Sequence, residues 1–434
     1  MNIRTLLIAI ATFATALLTS CDEHLEAPDS GAAVTLQLNW GDTEQPDNIS
    51  DGIVTFKNIN TGQVTTFSLD TESISVAPGL YDISLTATAA LPNGGVAEVK
   101  AFRQSVTIAA GDNAVELSPF CTINSDDFII SEIFFTGTLQ PSGNQYYGDD
   151  YIKIYNNTDH VLYADGLTIF ESKFTTTQKF EYSPDIMSEA MTVHALYTVP
   201  GSGKEHPVNP GEYLLIADTG IDHTVINPNS FDLSSADFEW YDVSTKPAHT
   251  DIDSPTVPNL DKWYCYTLSF FVLHNRGFRA YGIARIPVDK DEYLKDYWYT
   301  YDYTIVVPAG TFPMSQSAYK LPNKWIVDVV NCSVAAEYEW NVSDPSLDMG
   351  WTNCGTIDHD KTRYFHAVRR KLAGFSATGT PIFQDTNNST EDFNAMVTPS
   401  EIERQGTAKD INGTPCTVQT YDGVVPIPIE KSEK

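Results

Sequence analysis

Positive charge is scarce in this chain: 26 Lys and Arg stand against 57 Asp and Glu, for a formal charge of −31 over 434 residues. No basic patch or stripe interrupts that excess, which excludes nucleic acid and anionic headgroups as partners held by charge. Cysteine is also rare, six in all, and no two are spaced as CxxC, so the usual zinc patterns are excluded. Neither an HExxH zinc helix nor a GxSxG nucleophile elbow occurs. Gly201-Ser202-Gly203-Lys204-Glu205 is not a phosphate loop, because no Ser or Thr follows the Lys. Helical period is confined to Asp289–Tyr297 and a short turn at Ser400–Arg404, where Ser400 is placed to cap the first turn. The apolar run from Leu6 to Leu18 is thirteen residues, too short to cross ~30 Å of hydrocarbon.

That run does have a use. Arg4, the apolar stretch and Leu18-Thr19-Ser20-Cys21 follow one another as a secretory signal ending in a lipoprotein cleavage box. Residues 1–20 are expected to be removed, with a diacylglyceryl group on the Cys21 thiol. The mature chain would then have 414 residues and a charge of −32, since residues 1–20 hold one Arg and no acid. Asp22, Glu23, His24, Leu25 and Glu26 resemble the acidic export signal by which some Gram-negative lipoproteins reach the outer leaflet; a plain solvated tether is the alternative. Residues 21–32 read as that lipidated tether, and 417–434 as a C-terminal tail.

Fold class is set by period. Gly and Pro number 50, with 22 Tyr and 21 Phe, a composition of short strands and many turns. From Val34 to Leu117 apolar residues alternate with polar ones through seven short segments, as in an antiparallel seven-stranded sandwich. A second β pattern opens at Phe128. It continues through 151–157, 161–170, 211–218, 270–275, 278–286 and 325–330, separated by long insertions of which 219–258 is the longest. Such insertions are expected to carry short elements or to line a functional surface. The chain is therefore expected to be all-β: a small sandwich followed by a larger one with long insertions.

The turn and strand Ser75-Val76-Ala77-Pro78-Gly79-Leu80-Tyr81-Asp82-Ile83 resemble those of transthyretin-like, carboxypeptidase-regulatory-like domains, which gives residues 33–119 a spacer or adaptor character. Ile129-Ile130-Ser131-Glu132-Ile133, residues 150–159 and Leu162–Leu167 resemble the opening strands of lamin-tail domains, which are immunoglobulin-like and usually carry Glu where this chain has Lys153. Residues 209–218 and 385–393 are similar to that domain's later strand and closing turn, so 126–416 is assigned to an expanded lamin-tail-like sandwich. With the lipobox, the whole resembles an uncharacterised family of outer-membrane lipoproteins. The resemblance implies architecture and location and assigns no activity.

Site candidates are few. Asp385, Asn387, Ser389 and Glu391 place oxygens at alternate positions, as a calcium loop does, but without the Gly and Glu such a loop needs; a turn bonded to its own backbone is the competing reading. No cofactor is expected beyond structural calcium there. Asp149-Asp150 and Asp358-His359-Asp360 read first as acidic loop tips and second as cation sites, and His249, Asp251 and Asp253 as a solvated loop. Trp263, Tyr264 and Tyr266 with Trp298 and Tyr299 could form a stacking platform for sugars or a cofactor, or pack as half-buried strand aromatics. Cys332 and Cys354 are expected to pair as a disulfide, and Cys121–Cys416 is a second candidate pair.

The expected function is non-enzymatic. The chain would be a surface lipoprotein held to the bilayer by its acyl (palmitate) anchor, binding a ligand or envelope partner as an accessory to a TonB-dependent importer in nutrient uptake. The alternatives are an extracellular polymer hydrolase and an adhesin or structural envelope subunit.

Overall fold

The computed structural model describes residues 31–408 apart from 41–45, 47, 72, 91–95, 123–125, 245, 247–250, 268–269, 377 and 407. Cys21, the signal, most of the tether, His249, Cys416 and the 417–434 tail lie outside the described residues. The fold is all-β, with a few short helices and no described helix long and apolar enough to cross a membrane.

Two sheets enclose the first core. One holds Ile74–Val76, Ala32–Leu38 and Asp112–Leu117; the other holds Val64–Ser68, Ile49–Asn58, Gly79–Ala90, Val96–Ile108 and Phe120–Thr122. Val34, Ile74 and Val115 from one meet Phe56, Ile83, Leu85 and Val99 from the other. Two details differ from expectation. Phe120–Thr122 is an eighth strand, and Ala32–Leu38 runs parallel to Asp112–Leu117, from Ala33↔Asp112 to Leu38↔Leu117. Ile74–Val76 pairs antiparallel along the other edge of Ala32–Leu38, from Ala32↔Val76 to Val34↔Ile74.

The second sandwich pairs a six-stranded with an eight-stranded sheet. The former runs Phe238–Glu239, Tyr213–Ala217, Tyr151–Tyr155, Ile129–Phe134, Ala367–Arg370, Phe393–Val397. The latter runs Trp298–Val307, Gly310–Pro322, Ala190–Thr198, Leu167–Ser172, Ala280–Arg285, Ile326–Ser333, Thr352–Asn353, with Asp261–Cys265 also on Ala190–Thr198. Ile130, Ile133, Ile152 and Ile216 pack against Leu167, Ile169, Tyr197 and Ile283 between them. Outer faces are covered as well, by Phe231, Leu233 and Ile402 on one side and by Tyr293 and Trp340 on the other. Residues 270–275, expected as a strand, cross the end of the core as a loop that buries Phe271 and Leu273.

Both expected helices form. In Lys290–Asp296 the Asp289 carboxylate accepts from Glu292 N at 2.9 Å and caps the first turn. In Ser400–Gln405 the cap position belongs to Pro399, and Gly406 ends the helix at φ 66°. Ser400 does not cap. Its hydroxyl donates to Glu132, whose carboxylate also accepts from Ser400 N at 2.8 Å and so caps the helix from the neighbouring sheet.

Candidate functional site

Strand Ala190–Thr198 carries two strands end to end along one edge. Tyr319 sits opposite Val193 and Tyr264 opposite Leu196, while Trp298 of the next strand sits opposite Tyr319. Three aromatic rings from separate stretches therefore meet at this junction. Tyr264 and Tyr319 lie 4.6 Å apart, Trp298 and Tyr319 4.7 Å, both edge-on, with Tyr264 and Trp298 6.2 Å apart. Tyr293 of the capped helix lies beneath, 5.6 Å from Tyr319 and 5.7 Å from Trp263. Burial pushes the Tyr264 and Tyr319 hydroxyls up, so both remain neutral donors. Trp298 is 45% exposed and gives the cluster an open indole.

Of the five aromatics anticipated from sequence, Tyr264 and Trp298 thus come together, with Trp263 behind them. The other two go elsewhere. Tyr266 lies flat on His194, 4.1 Å between centroids, over the buried Glu171–His194 pair. The Tyr299 hydroxyl bonds to Thr192 Oγ1 at 2.5 Å, away from Trp298. Tyr319 was not anticipated: it stands alone in its stretch, and only the shared strand edge brings it to the others.

The calcium arrangement is not formed. Asp385 Oδ1 accepts from Arg370 at 3.0 Å, Asn387 Nδ2 donates to the Ser346 carbonyl, and Ser389 Oγ donates to Asp348 at 2.6 Å. Asn388 accepts from Thr390 N as a helix cap, and Asp392 accepts from Thr386 N and Oγ1. Without a Gly at the bend, the oxygens turn to neighbouring groups instead of a common point. This loop instead walls a cleft of about 180 Å³ between the two sandwiches, where Asn388, Glu391 and Met349 face Glu98, Lys100 and Phe102. Lys100, 3% exposed, donates to the Thr386 carbonyl and pairs with Glu98 at 3.1 Å.

Asp149 and Asp150 are not loop tips. Both are buried: Asp149 accepts from Thr138 and Ser230, and Asp150 is joined to Asp218 through the backbone. Burial pushes the Asp150 and Asp218 carboxyls well above the usual range, helped by the charges of Asp149 and Asp218 on Asp150 and of Asp251 and Asp149 on Asp218. Asp358 and Asp360 do sit on an exposed turn, where bonds from Thr362 and Thr356 hold Asp360 at about 2. Asp251 accepts from Asp242 N, and burial pushes it up to about 6; Asp253 accepts from Asn259.

Asp165, Glu205 and His206 are the described acid and imidazole groups close enough together to hold a metal. The Asp165 oxygens are already taken by the N–H groups of Gly203, Glu205 and His206, so the cluster clasps its own loop. Cys332 and Cys354 are free buried thiols and do not form the expected disulfide. The parallel register sets Thr352, not Cys354, opposite Cys332, and a bridge needs Cα atoms within about 7 Å. Cys265 is free as well.

Comparison with known proteins adds a family segment and a fold. Residues 209–400 match the model of a family described as "Protein of unknown function (DUF4876)". No curated protein matches. The crystal structure of a DUF4876 family protein from Bacteroides thetaiotaomicron is similar at 21% identity and a TM-score of 0.51, covering 85% of this chain and 95% of that one. At that identity the likeness is one of fold alone. The segment matching the DUF4876 model contains Tyr264, Trp298 and Tyr319 and so the entire aromatic platform.

Proposed function

We propose that this chain is a non-enzymatic binding protein, displayed on the exterior of an outer membrane by an acyl anchor on Cys21 and accessory to a TonB-dependent importer. The aromatic platform carries the binding part of this reading. An open indole set edge-on to two phenol rings offers apolar planes with polar rims, the surface on which a sugar ring stacks. The signal, lipobox and acidic tether support the location.

The test is a tryptophan-fluorescence titration of the mature chain with neutral hexasaccharides of several linkages. A saturable change with at least one of them is expected, reduced at least tenfold in affinity by Trp298→Ala. The same variant should keep the parent's melting temperature, because Trp298 is half exposed. Failure of the whole panel to bind the parent, or equal binding by the variant, removes the sugar-platform reading.

A further inference from the structure

The hairpin that begins at Trp298 reaches well past the platform. Its strands pair without interruption from Trp298↔Tyr319 to Val307↔Gly310, and Pro308-Ala309 form the turn. At ~3.3 Å per residue the tip lies about 30 Å along the strand from Trp298. Between Asp302 and Lys320 there are 17 residues with no charged side chain, where the chain's 19% average would place about three.

The register shows which face is apolar. Tyr303 opposes Met314, Ile305 opposes Phe312 and Val307 opposes Gly310, so these side chains share one face. Near the base that face is covered: Tyr301 is buried against Phe174 and Tyr182, and Phe180 lies 4.8 Å from Tyr303. Farther out it emerges. Val307 is 41% and Phe312 47% exposed, and Val306 on the opposite face is 76% exposed.

We propose that residues 305–314 dip into the surface of a lipid bilayer. Three features favour lipid over a protein partner. Backbone groups between the two strands are paired to the last residue and Pro308 has no N–H, while the outward groups of both edges stay unpaired, so the arm suits a shallow seat among hydrated headgroups with only its side chains reaching the acyl boundary. Tyr303 stands where the arm leaves the body, the place for an amphipathic ring at the edge of hydrocarbon. The body, at −31, is repelled by anionic surfaces, and this uncharged arm is suited to approach a membrane. The proposal rests on the reading that the chain works at a membrane leaflet, but it does not require the acyl chain.

The test floats the chain from residue 21 onward, carrying Cys21→Ser so that no lipid can be attached, with neutral phosphatidylcholine vesicles. The parent should rise with the vesicles, and the Val306→Asp/Phe312→Asp double variant should do so at least tenfold less. Both positions are solvent-exposed, so equal melting temperatures show that the variant is folded. Adding phosphatidylglycerol should weaken binding at low salt and added salt should restore it, the reverse of a basic membrane binder. Equal flotation of parent and variant overturns the proposal, as does a parent that stays below. In the latter case, a dimer that the double variant loses would mark the arm as a contact between two copies. Loss of flotation leaves the anchor on Cys21 standing, and an unmodified Cys21 in the native protein leaves the vesicle result standing.

Discussion

In strand Gly79–Ala90 of the first sandwich, Tyr81, Ile83, Leu85, Ala87 and Ala89 are buried, and the residues between them reach toward solvent. In strand Leu167–Ser172 of the second sandwich every residue is buried, including Thr168, Glu171 and Ser172. A sheet covered on one side can send its polar residues to water and rest on a single apolar layer. A sheet covered on both sides cannot, so each polar side chain needs a partner inside. The second sandwich is accordingly crossed by charge networks. Arg370 donates to the Ile130 carbonyl and to Asp328 and Asp385, with Asp392 at 3.5 Å. Lys153, where the lamin-tail resemblance leads one to expect Glu, pairs with Glu401 at 2.7 Å, donates to Ser400 at 2.6 Å and faces the Tyr213 ring. The first sandwich has few such groups, and its buried Lys100 lies where the two sandwiches meet.

This contrast can be broken most forcefully at Arg370. Arg370→Met strands two buried carboxylates, Asp328 and Asp392, and is expected to cost about 4 kcal/mol by urea unfolding. A loss below about 1 kcal/mol would mean that apolar packing alone holds the second sandwich too. Next comes Lys153→Met, expected to cost about 3 kcal/mol at neutral pH. Burial alone would raise Glu401, but Lys153 and Arg404 hold it at about 2. A carboxylate lowered on folding stabilises above its unfolded value of 4.5, and that contribution disappears as pH falls toward about 2. The Lys153→Met penalty should therefore shrink between pH 5 and pH 2.5 in melting curves.

Leu85→Ala in the first sandwich should cost about 2–3 kcal/mol through the cavity it leaves. Unlike the Lys153 variant, its penalty should be the same at pH 4 and pH 8, since only packing is lost. A pH-dependent penalty at Leu85 would erase the distinction between the two sandwiches. The smallest effect is at the platform: Trp298→Ala should change stability by less than about 0.5 kcal/mol while altering ligand binding.

The same contrast explains what was legible in the sequence. Val34, Leu36 and Leu38 announce a one-sided strand by alternation, and the Asp289 cap announces its helix. Ile129 to Phe135 could be read as a strand, but not which residues face which core, because burial on both faces removes the period. Asp149 and Asp150 looked like a loop tip because two adjacent acids at a Gly normally are; in the fold Ser230 donates to Asp149 and His223 lies beside it, both arriving from the long insertion. Tyr319 and Lys100 became visible only once strands distant in sequence were set side by side. Two of the platform's three rings were readable, since Trp263-Tyr264 and the aromatics from Trp298 are dense enough to notice. Its third ring was not.

The sugar platform and the bilayer-seeking arm both presume a protein held at an outer leaflet. Intact mass spectrometry of the native protein extracted from membranes measures this directly. The expected product starts at Cys21, lacks residues 1–20 and carries the mass of a diacylglyceryl group. A chain that retains Met1, or a bare Cys21 recovered from the cytosolic fraction, would contradict it.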